Sequence, residues 1–113
     1  MRLIIERGQE QQKGFFGGNK GALFHLTCRV ELSEEEQHLV EKYRVGDHVL
    51  ASKQIGDLED PLRVGDLTGG TTMKCKDVAT LLGSEEVVRA ACSEFKVLLT
   101  VMASFGGREV VEF

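Results

Sequence analysis

Proline is nearly absent from this sequence of 113 residues, in which Pro61 stands against thirteen glycines. Backbone freedom therefore comes from glycine, which reaches conformations that other residues rarely adopt. No apolar run approaches the length of about 18 residues that spans a bilayer. Met1 leads directly into Arg2-Leu3-Ile4-Ile5, without the cleavage site of a secretory leader. The sequence predicts a soluble protein with neither a membrane span nor a signal peptide.

Cysteine is also scarce, and its spacing is typical of neither a metal site nor a disulfide framework. Cys28, Cys75 and Cys92 form an odd set, and the sequence contains no Cys-x-x-Cys or His-x-x-x-His pair. Reduced thiols in a cytoplasmic protein are the simplest interpretation. We therefore expect no bound metal and no cofactor.

Positive charge is dispersed along the chain, and the formal net charge is −4. Proteins that bind phosphate backbones gather lysine and arginine on one face, often beside stacking aromatic residues. Neither feature is present in this sequence, which disfavours nucleic-acid binding.

Alternating side chains predict a β-hairpin at the start of the chain. Residues 22–32 place Phe24, Leu26 and Cys28 on one side of a strand and polar residues on the other. A first strand over 2–7 supplies its antiparallel partner. The intervening residues 8–21 are rich in glutamine and glycine and predict a hairpin arm with a flexible turn.

The centre of the chain changes from helix to irregular structure. Ser33 precedes Glu36 at the capping-box spacing, which predicts a helix of about three turns, and residues 48–53 read as a third strand. Residues 54–76 show no sustained periodicity and predict a long irregular segment. Arg-Val-Gly-Asp occurs at 44–47 and again at 63–66, which indicates either paired turns or coincidence.

Helical periodicity is strongest near the end of the chain. Residues 77–82 predict a short helix that Gly83 stops, and residues 84–104 predict a long amphipathic helix. Residues 108–113 return to a strand pattern. The sequence thus predicts a single α+β domain over 1–113, with the order β-β-α-β-irregular-α-α-β and helices on one face of a small, mostly antiparallel sheet.

Three groups of residues could support catalysis or ligand binding. Cys75 lies between two lysines, which favour a thiolate, and Asp57, Glu59 and Asp60 cluster in the irregular segment. The glycine-rich stretch 14–21 could cradle an anion, but it lacks the phosphate-loop spacing and leads into a strand. Each group also has an ordinary structural explanation, so we do not expect an enzyme.

The chain has more apolar side chains than are needed to cover one face of a sheet. This surplus supports the leading hypothesis, which is that the protein binds other proteins. Phe15 and Phe16 adjoin glycines in a polar arm, and Val97, Val101 and Phe105 make the end of the long helix apolar almost all round. These five residues predict a small, non-enzymatic protein that acts through protein contacts as a homodimer. A module binding a small molecule or nucleotide, through the glycine-rich loops and Thr68, Thr71, Thr72 and Lys74, is the alternative.

Overall fold

The computed structural model of the chain describes residues 1–13, 19–51 and 61–113. Within these ranges it contains strands and helices in the order β1 (Arg2–Lys13), β2 (Asn19–Glu31), α1 (Glu34–Lys42), β3 (Val49–Ala51), β4 (Leu62–Arg63), α2 (Val64–Gly69), β5 (Thr71–Cys75) and α3 (Val78–Ala103). The predicted α+β class with a small antiparallel sheet is confirmed.

β1 and β2 form the predicted antiparallel hairpin. Their pairing runs from Arg2 opposite Glu31 out to Lys13 opposite Asn19. The polar residues that follow the apolar start of β1 also pair, so the arm is part of the sheet rather than a loop. Residues 14–18, including Phe15 and Phe16, lie outside the described residues.

β5 completes a three-stranded sheet of order β1-β2-β5, and it pairs antiparallel with β2. Side chains alternate across this sheet, as the sequence of β2 predicts. Buried on one face are Leu26, Cys28, Val30, Met73 and Cys75. Exposed or partly exposed side chains such as Thr27 and Arg29 lie on the opposite face.

α3 packs against the apolar face of the sheet through one stripe of its surface. The buried members of this stripe follow the helical repeat and are Leu81, Ser84, Glu85, Val88, Ala91, Cys92, Phe95, Leu99 and Met102. Among the residues whose burial is described, Phe95 is the largest fully buried side chain. Removing such a phenylalanine costs about 3–5 kcal/mol of folding stability.

α1 begins as the capping-box spacing predicts. The Glu36 N–H donates to Ser33 Oγ at 3.2 Å, and the Ser33 N–H donates to Glu36 Oε1 at 2.9 Å. The helix ends at Lys42 with Tyr43 as its C-cap, and the next residue, Arg44, is left-handed with φ of 52°.

The two Arg-Val-Gly-Asp sequences lie next to each other but are not paired turns, because the first follows α1 in a turn and the second spans the end of β4 and the start of α2. The Gly65 N–H donates to the Gly46 carbonyl oxygen at 2.8 Å, and Arg63 Nη1 donates to the Asp47 carbonyl oxygen at 2.9 Å. A Cβ atom on Gly65 would lie only 3.2 Å from that Gly46 oxygen. Glycine at 65 therefore permits the start of α2 to approach the turn at Gly46 closely.

The prediction that Gly83 separates two helices is wrong, because α3 runs through it without a break. Asp77 does cap the helix, since the Thr80 N–H donates to Asp77 Oδ1 at 2.7 Å. The Ser84 hydroxyl donates to the Thr80 carbonyl oxygen at 2.9 Å, as in a helix interior, and does not cap a new helix. A Cβ on Gly83 would meet nothing within 4 Å, so this glycine lies on the open side of the helix.

Two further expectations need correction. Residues 61–76 are not irregular, because they contain β4, α2 and β5; residues 54–60 lie outside the described residues. Residues 108–113 form no strand, although their sequence is strand-like. Strand formation depends on a partner as well as on β-propensity, and no strand of the described ranges pairs with this tail.

Candidate interaction surface

The carboxyl-terminal part of α3 carries apolar side chains on its outer side. Val97 is 63% exposed, Val101 is 46% exposed, and Phe105, which directly follows the helix, is 57% exposed. They are spaced four residues apart, so they follow one another along the helix surface. We call these three residues the α3 patch. All three were predicted from the sequence as contact residues, and the fold brings them together.

Phe105 is held at the edge of the α3 patch by an aromatic neighbour from α1. Its ring meets the Tyr43 ring edge to face, with centroids 5.1 Å apart and an interplanar angle of 81°. Aromatic pairs favour this arrangement because the positive edge of one ring faces the negative face of the other. The patch is therefore positioned by the α1–α3 contact as well as by the helix itself.

The tail beyond the helix enlarges the exposed apolar surface. Val110, Val111 and Phe113 are all exposed, and they follow Gly106, whose φ of 94° favours glycine. Clusters of exposed apolar side chains are typical of contact surfaces, whereas isolated ones are ordinary. Sequence periodicity had indicated a paired strand here, so this exposure was not predicted.

The three cysteines are free thiols in the core. Burial raises the pKa of the Cys28 thiol to about 11 and also raises the pKa of Cys92. Cys75 is fully buried, with its Sγ 4.0 Å from Ser84 Oγ. The flanking lysines do not make Cys75 accessible, because its side chain faces the core while theirs are exposed.

Arg7 and Glu85 form an ion pair that the sequence did not indicate, because 78 residues separate them. Arg7 Nε donates to Glu85 Oε1, and Arg7 Nη2 donates to Glu85 Oε2 at 3.0 Å. This fork is the strong, two-bond geometry of arginine with a carboxylate. Glu85 is buried, and the hydrogen bond from Arg7 lowers its pKa. The pair ties β1 to α3.

Two open cavities border the polar face and the junction of the helices. The larger, of about 560 Å³, lies between β2, α1 and α2, where Val30, Leu32 and Val40 meet the polar groups of Arg29 and Glu41. The second, of about 340 Å³, brings Thr71 and Thr72 beside Arg29 and two glycines of the α2–β5 turn. Three of the four residues suggested for ligand binding, Thr68, Thr71 and Thr72, thus line cavities.

Histidine, cysteine and acidic side chains are the remaining groups that could bind a metal or act in catalysis. His25 and Cys28 project from opposite faces of β2, and His25 Nε2 lies 3.5 Å from Glu10. Asp57, Glu59 and Asp60 lie outside the described residues. Across residues 1–13, 19–51 and 61–113, no three metal-ligating side chains gather in one place.

No helix among the described residues combines the length and apolar character needed to cross a bilayer. No protein-family model, curated protein or solved structure matches this chain. Functional inference therefore depends on the surfaces described above.

Proposed function

We propose that this is a small, non-enzymatic cytoplasmic protein that acts through protein–protein contacts, with the α3 patch as a contact surface and a second copy of the chain as one partner. The observation that carries the proposal is the exposure of Val97, Val101 and Phe105 along one side of α3. A two-fold contact lets one apolar patch cover its own equivalent, and two-fold dimers are the commonest oligomers.

The size of a stable interface explains why the tail belongs to the proposal. Stable protein interfaces bury about 800 Å² on each partner, which is more than three side chains supply. Val110, Val111 and Phe113 follow α3 in the chain and are also exposed, so we include them in the contact surface. The Phe105–Tyr43 contact fixes one edge of this surface in advance, which lowers the ordering cost of association.

The test is a pair of double substitutions on the same helix. Val97→Gln with Val101→Gln replaces two side chains of the α3 patch. Val78→Gln with Leu82→Gln replaces two apolar side chains with the same four-residue spacing and comparable exposure, 52% and 54%, near the other end of α3. All four positions are exposed, so neither variant should unfold the protein.

Sedimentation equilibrium should give a lower mass for the V97Q/V101Q variant than for the wild type at tens of micromolar, and an unchanged mass for V78Q/L82Q. Circular dichroism should show the same helix content in all three. Equal masses for the three proteins would overturn the role of the α3 patch in self-association.

The larger cavity favours a second candidate function, a regulatory module that binds a small molecule. Ligand pockets typically have volumes of about 300–1,000 Å³, with a few polar groups around an apolar lining. The cavity of about 560 Å³ lies within this size range, but polar residues, among them Arg29, Glu31 and Glu41, outnumber the apolar ones in its lining, so a polar ligand would fit it best.

A thermal-shift screen with nucleotides and common metabolites separates the two functions. A ligand that binds only the folded chain must raise the melting temperature. The substitution Val40→Trp should abolish such a shift by filling the cavity, whereas V97Q/V101Q should leave it unchanged. A panel without any shift counts against the second candidate and leaves the first one standing.

A further inference from the structure

β1 is an edge strand with unused hydrogen-bonding groups. In the sheet order β1-β2-β5 it pairs with β2 on one side, and in the described ranges no strand pairs with its other side. Every second residue of such a strand directs its N–H and C=O outward. About half of the twelve residues of β1 therefore offer their backbone groups to another strand.

The two edges of this sheet differ in their protection against pairing. Edge strands in natural proteins avoid pairing with other chains because they are short or because they contain lysine, proline or a bulge. β5 is five residues long and exposes Lys74. The start of β1 instead reads Arg2-Leu3-Ile4-Ile5-Glu6, which contains three consecutive apolar residues and neither lysine nor proline.

The sequence of this edge is complementary to itself in one antiparallel register. If Ile4 of one chain lies opposite Ile4 of a second, then Arg2 lies opposite Glu6, and Leu3 lies opposite Ile5. Opposite charges and apolar pairs directly across a strand pair both stabilise it. Each match occurs twice because of the two-fold symmetry.

Neighbouring registers that keep the same side chains on the same face lose this complementarity. Centring the pairing on Ile5 sets Ile4 opposite Glu6 and Leu3 opposite Arg7. Centring it on Glu6 or Arg7 sets like charges against each other, which destabilises a strand pair. Of the registers centred on Ile4 to Arg7, only the first matches charge with charge and apolar with apolar.

We propose that two copies of the chain pair β1 with β1 antiparallel about a two-fold axis at Ile4, which makes one continuous six-stranded sheet. Leu3 and Ile5 are only partly buried in the single chain and pack at the margin of the core, and this pairing covers them. Arg2, which already donates to Glu31 at 2.6 Å, gains a second acid in the partner's Glu6.

This edge contact goes beyond the proposed function because it uses a different surface. Side chains opposite each other in a strand pair point to the same face, so the two-fold axis is perpendicular to the sheet. Both α3 helices then lie on the same side of the six-stranded sheet, with their patches still exposed. The edge contact and the α3 patch can therefore succeed or fail independently.

Cross-linking through a single introduced thiol tests the register. In Ile4→Cys the two new thiols face each other, at the separation of about 4.5–5.5 Å between paired residues that a disulfide can span. In Gly8→Cys, also on β1, the thiols of the proposed dimer would be roughly 27 Å apart, at about 3.4 Å per residue. The native cysteines are buried, so the wild type serves as a second control.

Mild oxidation should cross-link the I4C protein roughly a hundredfold faster than G8C, because facing thiols have an effective concentration in the millimolar range. The substitution Glu6→Arg in the I4C background should slow cross-linking by placing two arginines opposite each other. Adding Arg2→Glu should restore the rate by exchanging the two charges. These results should persist in the V97Q/V101Q background, which separates this contact from the α3 patch.

Equal cross-linking of I4C and G8C, or no cross-linking of I4C, would overturn the proposal. So would an Ile4→Cys rate that Glu6→Arg leaves unchanged, because the register requires Glu6 to face Arg2. Cross-linking of I4C to a cysteine placed at Val111, in preference to a second I4C chain, would show that the carboxyl-terminal tail occupies the edge instead.

Discussion

The two partners of the Arg7–Glu85 ion pair differ in burial, so removing one residue has a different effect from removing the other. The Glu85 side chain is 7% exposed, whereas that of Arg7 is 53% exposed. If Glu85 is lost, Arg7 can turn to water. If Arg7 is lost, a carboxylate stays buried without its partner, and an unpaired buried charge is strongly unfavourable.

We therefore expect Arg7→Met to lower the free energy of unfolding more than Glu85→Gln does. Methionine keeps most of the arginine stem, so the comparison isolates the loss of the charged partner. Urea denaturation at neutral pH measures both variants. Losses of equal size would show that the pair contributes through packing rather than through the buried charge.

The same pair predicts a dependence of stability on pH. The hydrogen bond from Arg7 lowers the pKa of Glu85 below its usual value of 4.5 in the folded chain. A lowered folded pKa adds stability that is present above the unfolded pKa and is lost as the pH falls through the folded value. Stability should therefore decline from about pH 4.5 downward.

The comparison with Glu85→Gln separates this decline from that of other acids, since the pKa values of Glu31, Glu36 and Asp77 are also lowered. Urea denaturation at several pH values between 7 and 3 should show a smaller decline for the E85Q variant than for the wild type. Parallel curves for the two proteins would mean that Glu85 titrates alike in the folded and unfolded states.

At the scale of elements, the continuity of α3 through Gly83 can be tested directly. Glycine in a helix interior costs up to about 1 kcal/mol relative to alanine, and a Cβ at 83 would meet no neighbour within 4 Å. Gly83→Ala should therefore stabilise the protein by about 1 kcal/mol. If Gly83 instead had a left-handed conformation and ended a helix, Gly83→Ala would destabilise the protein.

Gly106 provides the matched control, because its φ of 94° is one that alanine rarely adopts. Gly106→Ala should destabilise the end of α3 by about 1 kcal/mol. Thermal unfolding followed by circular dichroism compares the two variants. If Gly83→Ala lowered the melting temperature, the continuous helix would be wrong.

The sequence predicted correctly those helices and strands that are specified by residues close together in the chain. The capping box located the start of α1, the alternation in β2 located its buried face, and the stripe on α3 located its core. The patch residues Val97, Val101 and Phe105 were predicted because they fall outside that stripe. Each inference needed only the period of one element.

The missed features depend on distant parts of the chain. β5 is only five residues long and follows two glycines, so its periodicity is short, and pairing with β2 determines it. The tail 108–113 has a strand sequence but no partner in the described ranges. The sequence placed Glu85 in the first turn of a helix and gave no sign of its contact with Arg7. That contact results from the packing of α3 on the hairpin. Pairing and packing are tertiary properties that propensity does not contain.

At the scale of the whole molecule, the two proposed contacts would act together. The α3 patch and the β1 edge lie on different surfaces, and each forms a contact that is closed about a two-fold axis. Two different two-fold contacts in one chain can build a closed tetramer. The V97Q/V101Q variant would then be a dimer held by β1, and the Glu6→Arg variant a dimer held by α3.

Assembly of either kind links the stability of the chain to its concentration. The melting temperature of the wild type should rise with protein concentration, because association stabilises the folded state. For a dimer that dissociates when it unfolds, each tenfold increase in protein concentration adds about 1.4 kcal/mol to the free energy of unfolding per mole of dimer. The triple variant E6R/V97Q/V101Q, which alters both contacts, should have a melting temperature independent of concentration, while V97Q/V101Q and E6R should each keep part of the dependence. Calorimetry at protein concentrations that span a hundredfold range measures these melting temperatures. If the melting temperature of the wild type did not change with concentration, both surfaces would have to bind partners other than a second copy of this chain.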